Sequence, residues 1–357
     1  MSEIVEEISY IPLETKPDCL LGDVNPGLDP PVFTDDYIFI QYGSILFQFD
    51  GNGKFIRKVN SEGQGPEECS VRCFTVDEKS RLVCLFDNFT LSTKIFDFDG
   101  NFHSSFKNPF LEEPSTNIPW RMDIDGRGNL VYIFANIRGD MEYKYVVTDK
   151  TGNFLYKCPN YDLYNNERRV SLMILNPSPL HSYDNFLYYD SRVNDTIFKI
   201  NDDYSCSPAY IIKLPGRVTL EENVKRGTRE LSSFDLSNRF FHESTRQDAR
   251  SIYIYNSVNG KFFLTLYDKQ TGELTENINT TLRNDYDGGM DVDMIPYMQN
   301  ENIFVFLFHP FEMKEKLTEE HFKEVKVAYP AKRDALKSML DNLQDDDNPV
   351  LMIVKLK

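Results

Sequence analysis

The chain has 357 residues, with 39 Lys and Arg against 56 Asp and Glu; the net charge of −17 would repel a phosphate backbone and sets nucleic acid aside as a partner. Hydrophobic residues make up 41% and aromatic ones 13%, a composition too apolar for a disordered chain and suited to many short, half-buried strands. No apolar run is long enough to cross a bilayer as a helix, and the opening MSEIVEEI has neither a basic start nor an apolar core, so neither a transmembrane segment nor a signal peptide is expected within this sequence.

Along the chain, residues 7–14 (EISYIPLE) come first, an extended apolar stretch with no partner of its own. Paired strand-like runs follow. Their first members lie at 37–42 (YIFIQY), 82–86 (LVCLF), 130–134 (LVYIF), 186–189 (FLYY), 252–255 (IYIY) and 303–308 (IFVFLF), and the second members at 45–55, 93–102, 143–154, 195–204, 262–274 and 350–357. Most second members end in an Asp/Gly/Asn turn, which supplies the positive φ angles and side-chain hydrogen bonds that tight hairpins require. Pairs recurring at intervals of about fifty residues predict an all-β, six-bladed β-propeller of four-stranded antiparallel blades, with 1–357 as one domain, because such folds grow by radial repetition. Blade 2 shows the unit most fully, with an inner strand at 72–77, then 81–87, 93–99 and an outer strand at 101–107. The sixth pair lacks an outer strand, so the stretch at about 7–14 is expected to pair there, close the ring and cover a sheet edge prone to aggregation.

Two insertions interrupt the repeat. Residues 215–238 mix charges with few large apolar groups and predict a long surface loop with a short helix. Residues 310–349, inside the last blade, carry helix signals: T-E-E-H at 318–321 resembles a helix start, and Pro330 precedes a stripe of Ala335, Leu336, Met339, Leu340 and Leu343. The acidic run 345–347 is expected to be a solvated helix exit. These insertions, with GQGPEE (63–68), 108–119 and 159–171, are expected on the face that also carries the loops between second and third strands, where ring folds place binding residues.

Chemical motifs are sparse. Gly63, Gly65 and Pro66 could cradle a phosphate, but no Lys-Ser/Thr follows, so a tight link between blades is the better account. The turns at 97–101 and 123–129 begin like calcium loops but have strand-like flanks and no acid at the twelfth position. No G-x-S-x-G elbow or H-E-x-x-H motif occurs. Of the six cysteines, Cys84 sits within an apolar strand as a buried thiol, whereas Cys69 and Cys73 are close in sequence; C-x3-C without a nearby His is poor for zinc and leaves an incidental role or, in an exported protein, a disulfide. Among the five histidines, His103 falls on an outer strand and His321 on a helix, leaving His181, His242 and His309 as groups for the channel side.

A polar recognition surface at the channel mouth fits better. Arg72 and Arg121 open inner strands, while Asp87, Arg138, Asp190, Arg192 and His309 end second strands, so all should approach one face. Arginine pairs with carboxylates through two parallel hydrogen bonds, and Trp120 or Tyr189 could stack on a sugar or peptide ring. No metal and no cofactor is assigned. The expected function is a non-catalytic ligand- or protein-binding propeller for an unidentified small-molecule, glycan or protein partner; the alternative is a hydrolase or lyase acting on a glycan, lactone or peptide in the channel.

The opening VEEISYIPLET…LLGDV (5–24), the G-Q-G-P-E-E loop (63–68) and the ending DNPVLMIVKLK (347–357) together resemble the six-bladed propeller proteins of gut Bacteroidota, distant relatives of NHL-repeat and TolB-type propellers. The resemblance spans essentially the whole chain. It implies an exported protein, periplasmic or anchored to the outer membrane through a lipid, whose leader and anchor precede the first propeller strand. The expected binding function is placed at the cell envelope, in association with nutrient capture. Cys19 is not the anchor, since LETKPDC lacks a preceding apolar segment.

Overall fold

In the computed structural model, the structure describes every residue except 23–29, 64, 112–117, 135, 137–138, 165–179, 191–193, 215, 223–238, 260, 294–296 and 301. The fold is a six-bladed β-propeller of four-stranded antiparallel sheets. Its chain divides into two compact units, one of Met1–Tyr42, Leu46–Val59 and Asn277–Lys357, the other of Gly43–Ile45 and Asn60–Glu276.

In the first unit, blade 1 runs through Val32–Phe33, Tyr37–Tyr42, Ile45–Asp50 and Phe55–Lys58. Blade 6 takes Tyr297–Asn300, Ile303–Phe308 and Val350–Leu356 from the end of the sequence and Val5–Pro12 from its start. The closing strand thus begins two residues earlier than the apolar run indicated, because Val5 already pairs with Leu356 and is fully buried. The register continues through Ile8 opposite Val354 and Ile11 opposite Leu351. Just beyond the strand, the buried Asn348 joins the same junction: its Oδ1 accepts from Leu21 N (2.8 Å), and its Nδ2 donates to the carbonyls of Glu14 and Cys19 (both 2.7 Å).

The insertion in blade 6 folds into three helices, Pro310–Lys316, Glu319–Glu324 and Pro330–Asn342. Thr318 caps the second by accepting from His321 N, as its sequence indicated. On the third, Leu336, Leu340 and Leu343 pack with Met313, Leu317, Phe322 and Val350, and Met339 lies against them. Ala335 is exposed, in contrast to its place in the predicted stripe, because the apolar face is centred one position further along the helix.

The second unit carries blades 2 to 5. Blade 2 comprises Val71–Asp77, Leu82–Asp87, Ser92–Asp97 and Phe102–Lys107, within two residues of expectation at each end. Blade 3 comprises Pro119–Ile124, Leu130–Phe134, Tyr143–Thr148 and Phe154–Pro159. Blade 4 has Leu180–Tyr183, Phe186–Tyr189, Thr196–Ile200 and Cys206–Ile211; blade 5 has Phe241–Gln247, Ser251–Val258, Lys261–Asp268 and Leu274–Asn279. Of the loop at 215–238, residues 216–222 are described, with a helical turn at 220–222 opened by a capping box in which Thr219 and Glu222 bond each other's backbone N–H; 215 and 223–238 lie outside the described residues.

One turn device recurs. The Oδ1 of Asp50, Asp97, Asp125 and Asp149 each accepts two backbone N–H groups, two and four residues on, at 2.8 to 2.9 Å. These carboxylates are spent inside their own hairpins, which accounts for the calcium-like spelling of the turns. A second device follows the outer strand. Asn60, Asn108 and Asn160 are buried and donate through Nδ2 to the carbonyls of Ser44, Leu91 and Met141, tying the exit of a blade to the entry of its third strand.

Ile8 and Leu13 are almost fully buried, and burial of such side chains contributes about 1.5 to 3 kcal/mol each, a large share of a typical net stability of about 5 to 15 kcal/mol. Deleting residues 1–14 is therefore expected to yield an aggregated or unfolded product. A soluble monomer with an unchanged melting temperature would show that the last blade does not need this strand.

Candidate functional site

The inner strands of blades 2 and 3 each carry a bulge at the same place. In blade 2, Val71 pairs with Asp87 and Cys73 with Phe86, leaving Arg72 as the extra residue; in blade 3, Pro119 pairs with Phe134 and Arg121 with Ile133, leaving Trp120. A bulge re-aims its side chain out of the regular alternation. The two re-aimed groups meet, with the Arg72 guanidinium 4.6 Å from the centre of the Trp120 ring. Among the described residues, the buried Arg72 Nε has no hydrogen-bond partner. Beyond Trp120 on the same strand stand Arg121 and Asp123, both half-buried. Burial raises the Asp123 carboxyl above its ordinary range, against the bond it accepts from Ile124 N and the nearby charge of Arg121. Asp123 did not stand out in the sequence, where it looked like part of the DIDGRGN turn.

Asp87 is committed elsewhere. It is fully buried, accepts from Ser70 N, Phe89 N and Thr90 Oγ1, and lies 3.4 Å from the Lys94 ammonium. Lys94 in turn donates to the carbonyls of Gly65 and Glu68. The glycine loop at 63–68 folds around its own acid, since Gly65 N donates to Glu68 Oε2 at 2.8 Å. A phosphate would have to displace that carboxylate, so the loop works as the link between blades expected of it. A Cβ at Gly63, where φ is +152°, would collide with the Glu68 carboxylate.

Tyr189 is likewise buried, 5.7 Å beneath the Lys144 ammonium, which pairs with Asp162 at 3.2 Å. Asp190 accepts from Thr245 N at 2.7 Å and lies 3.3 Å from His242 Nε2. Thr245 Oγ1 approaches the same nitrogen at 3.2 Å, while Asn256 takes the other one at 3.4 Å. A catalytic relay needs base and orienting acid on opposite ring nitrogens, with the nucleophile open to substrate. Here acid and hydroxyl converge on one nitrogen, and Asp190, His242 and Thr245 are each about 1% exposed. The cluster is a latch between blades 4 and 5.

Next to it, the amide of Gln247 is oriented by Tyr210 OH (3.3 Å) and Lys269 Nζ (3.0 Å), both donating to its Oε1. Its Nε2 then donates to His181 Nε2 at 3.0 Å, which requires a neutral imidazole. Burial, reinforced by Arg246 and Lys269 and opposed by Asp190, lowers the His181 pKa to about 3. The ring stacks on Tyr188 at 5.2 Å.

His309 belongs to the first unit. It follows the strand Ile303–Phe308, stands at the N-cap of the helix Pro310–Lys316, and its ring stacks on Phe311. Arg138 and Arg192 lie outside the described residues. Of the residues singled out in the sequence, the structure therefore joins Arg72 to Trp120, with Arg121 the next residue on that strand, and separates Asp87, Tyr189 and Asp190 into buried pairs of their own. No group of three or more His, Cys, Asp or Glu side chains suited to a metal ion occurs among the described residues. Cys69 and Cys73 are both buried free thiols.

Six four-stranded antiparallel blades define this protein as a β-propeller of the six-bladed class. The chain belongs to the family described as domain of unknown function DUF4934, whose model matches residues 1–355. Among solved structures it is similar to a protein of Bacteroides fragilis described as exported, with a TM-score of 0.69 and 17% identity over 98% of this chain and 95% of that one. It is also similar to a DUF4221-family member from Bacteroides vulgatus, with a TM-score of 0.52 and 11% identity over 99% and 97% of the two chains. No curated protein matches the sequence.

The His181 pKa gives a signed expectation. An unfolded chain takes up the proton as pH falls through the ordinary 6.5, while the folded chain resists until about 3, so stability is lost as pH falls across that window. Relative to His181→Gln, the native chain should lose about 2 to 3 kcal/mol between about pH 7.5 and about pH 4.5. Urea unfolding of both proteins at the two pH values measures this; a difference independent of pH would contradict the neutral buried imidazole.

Proposed function

We propose that the protein is a non-catalytic binding propeller of the cell envelope, and that it recognises a ligand bearing a carboxylate on a ring or other flat body. The supporting observation is the pair of bulged residues: an arginine laid over an indole, with a buried N–H that has no partner among the described residues. A guanidinium held against an aromatic face keeps its fork pre-oriented for a carboxylate, and Arg121 on the same strand adds a second cation. Asp87, Asp190, His242 and Gln247 are each bonded to other protein groups, which favours recognition over turnover. Export to the periplasm or an outer-membrane lipid anchor, and a link with nutrient capture, belong to the same reading; the family resemblance and the similar Bacteroides fragilis protein described as exported support it. No helix among the described residues is long and apolar enough to cross a membrane.

Calorimetry and thermal-shift measurements with acidic oligosaccharides, neutral oligosaccharides and acidic peptides test the proposal. Binding by a carboxylate-bearing class should weaken by about tenfold or more in Arg72→Ala and in Trp120→Ala, corresponding to about 1.4 kcal/mol or more. Equal affinity in the variants, or no binding by any carboxylate-bearing class, would overturn it. Conversion of a bound ligand to product, lost in Asp123→Asn, would instead favour a lyase or hydrolase, since the raised Asp123 carboxyl could act as an acid.

A further inference from the structure

Two cysteines far apart in sequence come into contact. Cys158, on the outer strand of blade 3, and Cys206, at the start of the outer strand of blade 4, have their sulfurs 3.5 Å apart. Both strands are fixed in register, Cys158 opposite Tyr145 and Cys206 opposite Ile200. Cys158 is packed in an apolar cluster with Leu180, Leu187 and Ile200, and Cys206 lies at its edge, half-buried. One sulfur is thus sheltered and the other is reachable, the arrangement of a resolving and an attacking thiol. We propose that Cys158 and Cys206 form a disulfide that staples the outer strands of blades 3 and 4.

The geometry needs little change, since side-chain rotation can bring two sulfurs in contact to the bonding distance of about 2.05 Å. The electrostatics agree. The neighbouring Cys158 thiol, and then the charge of Lys144, draw Cys206 below the ordinary thiol range against its burial, whereas its bond to Cys206 and burial hold Cys158 as a thiol. Burial raises Cys69 and Cys84 to about 12, leaving them unreactive.

The oxidant is another disulfide, carried by a protein or by a small molecule. The Cys206 thiolate attacks one of its sulfurs, the oxidant S–S bond breaks, and the first leaving sulfur takes up a proton. Cys158 then loses its proton and attacks Cys206 Sγ, releasing the second oxidant sulfur. Two thiols of the chain give up two electrons and two protons, and the oxidant becomes two thiols.

The test exposes the full chain to oxidised glutathione, traps free thiols with an alkylating reagent, and maps the peptides without reduction. The expected result is loss of two of the six thiols and of the mass of two hydrogens, with Cys158 linked to Cys206. Oxidation should also raise the melting temperature by roughly 5 °C, reversed by dithiothreitol. Cys158→Ser should instead accumulate a glutathione adduct on Cys206, because the resolving thiol is gone. Six alkylatable thiols after treatment, a persistent adduct on the native chain, or a link between other cysteines would overturn the proposal.

Discussion

The pairing of Val5–Pro12 with Val350–Leu356 is the contact on which the rest of this structure depends. Neighbouring strands in the other blades are joined through local hairpins, but these two are separated by almost the whole sequence, so their entropic cost of closure must be met by burial and by a complete ladder. Val5 and Ile8 supply the burial, and Val350, Leu351 and Met352 are fully enclosed. Asn348 adds a polar lock at the mouth of this sheet, holding three backbone groups of residues 14–21. The helical insertion reinforces the same place, since its leucines close over Val350.

Within the second unit, most of the polar groups picked out by position are met inside the protein. Lys94 and Asp87 form a buried pair whose remaining hydrogen-bonding capacity is met by backbone groups, the condition under which such a pair is tolerated. Asp190 and His242 are enclosed in the same way. Arg72 and Trp120 stand at interruptions of the ladder on neighbouring inner strands and pack on each other.

Much of the fold was legible because a period of two and an Asp/Gly turn are written locally. The hairpin at 97–101, for example, needs only Asp97, Gly100 and Asn101 to declare itself. Even the partner of the orphan stretch near the start could be deduced by elimination, since one blade lacked an outer strand. The site was less legible. Arg72 and Arg121 stand out as openings of inner strands and Trp120 as a ring beside them, but Asp87 and Asp190, which stand out as ends of second strands, turn inward to side chains and amides that their own strands do not reveal. The proximity of Cys158 and Cys206, across 48 residues, has no sequence signal, whereas Cys69 and Cys73, close in sequence, are buried free thiols. The buried asparagines after the outer strands did carry a signal, an Asn one or two residues past the outer strand in three blades, which becomes readable once the blades are aligned.

Native-state hydrogen exchange over Ile8 to Ile11 and Leu351 to Val354 tests the central claim most directly. If the two strands belong to one cooperative sheet, their amides should exchange at matching rates and open only with the blade as a whole. Rapid exchange of Ile8 to Ile11 beside a protected Leu351 to Val354 would show that the last blade holds together without the first strand, contradicting the account.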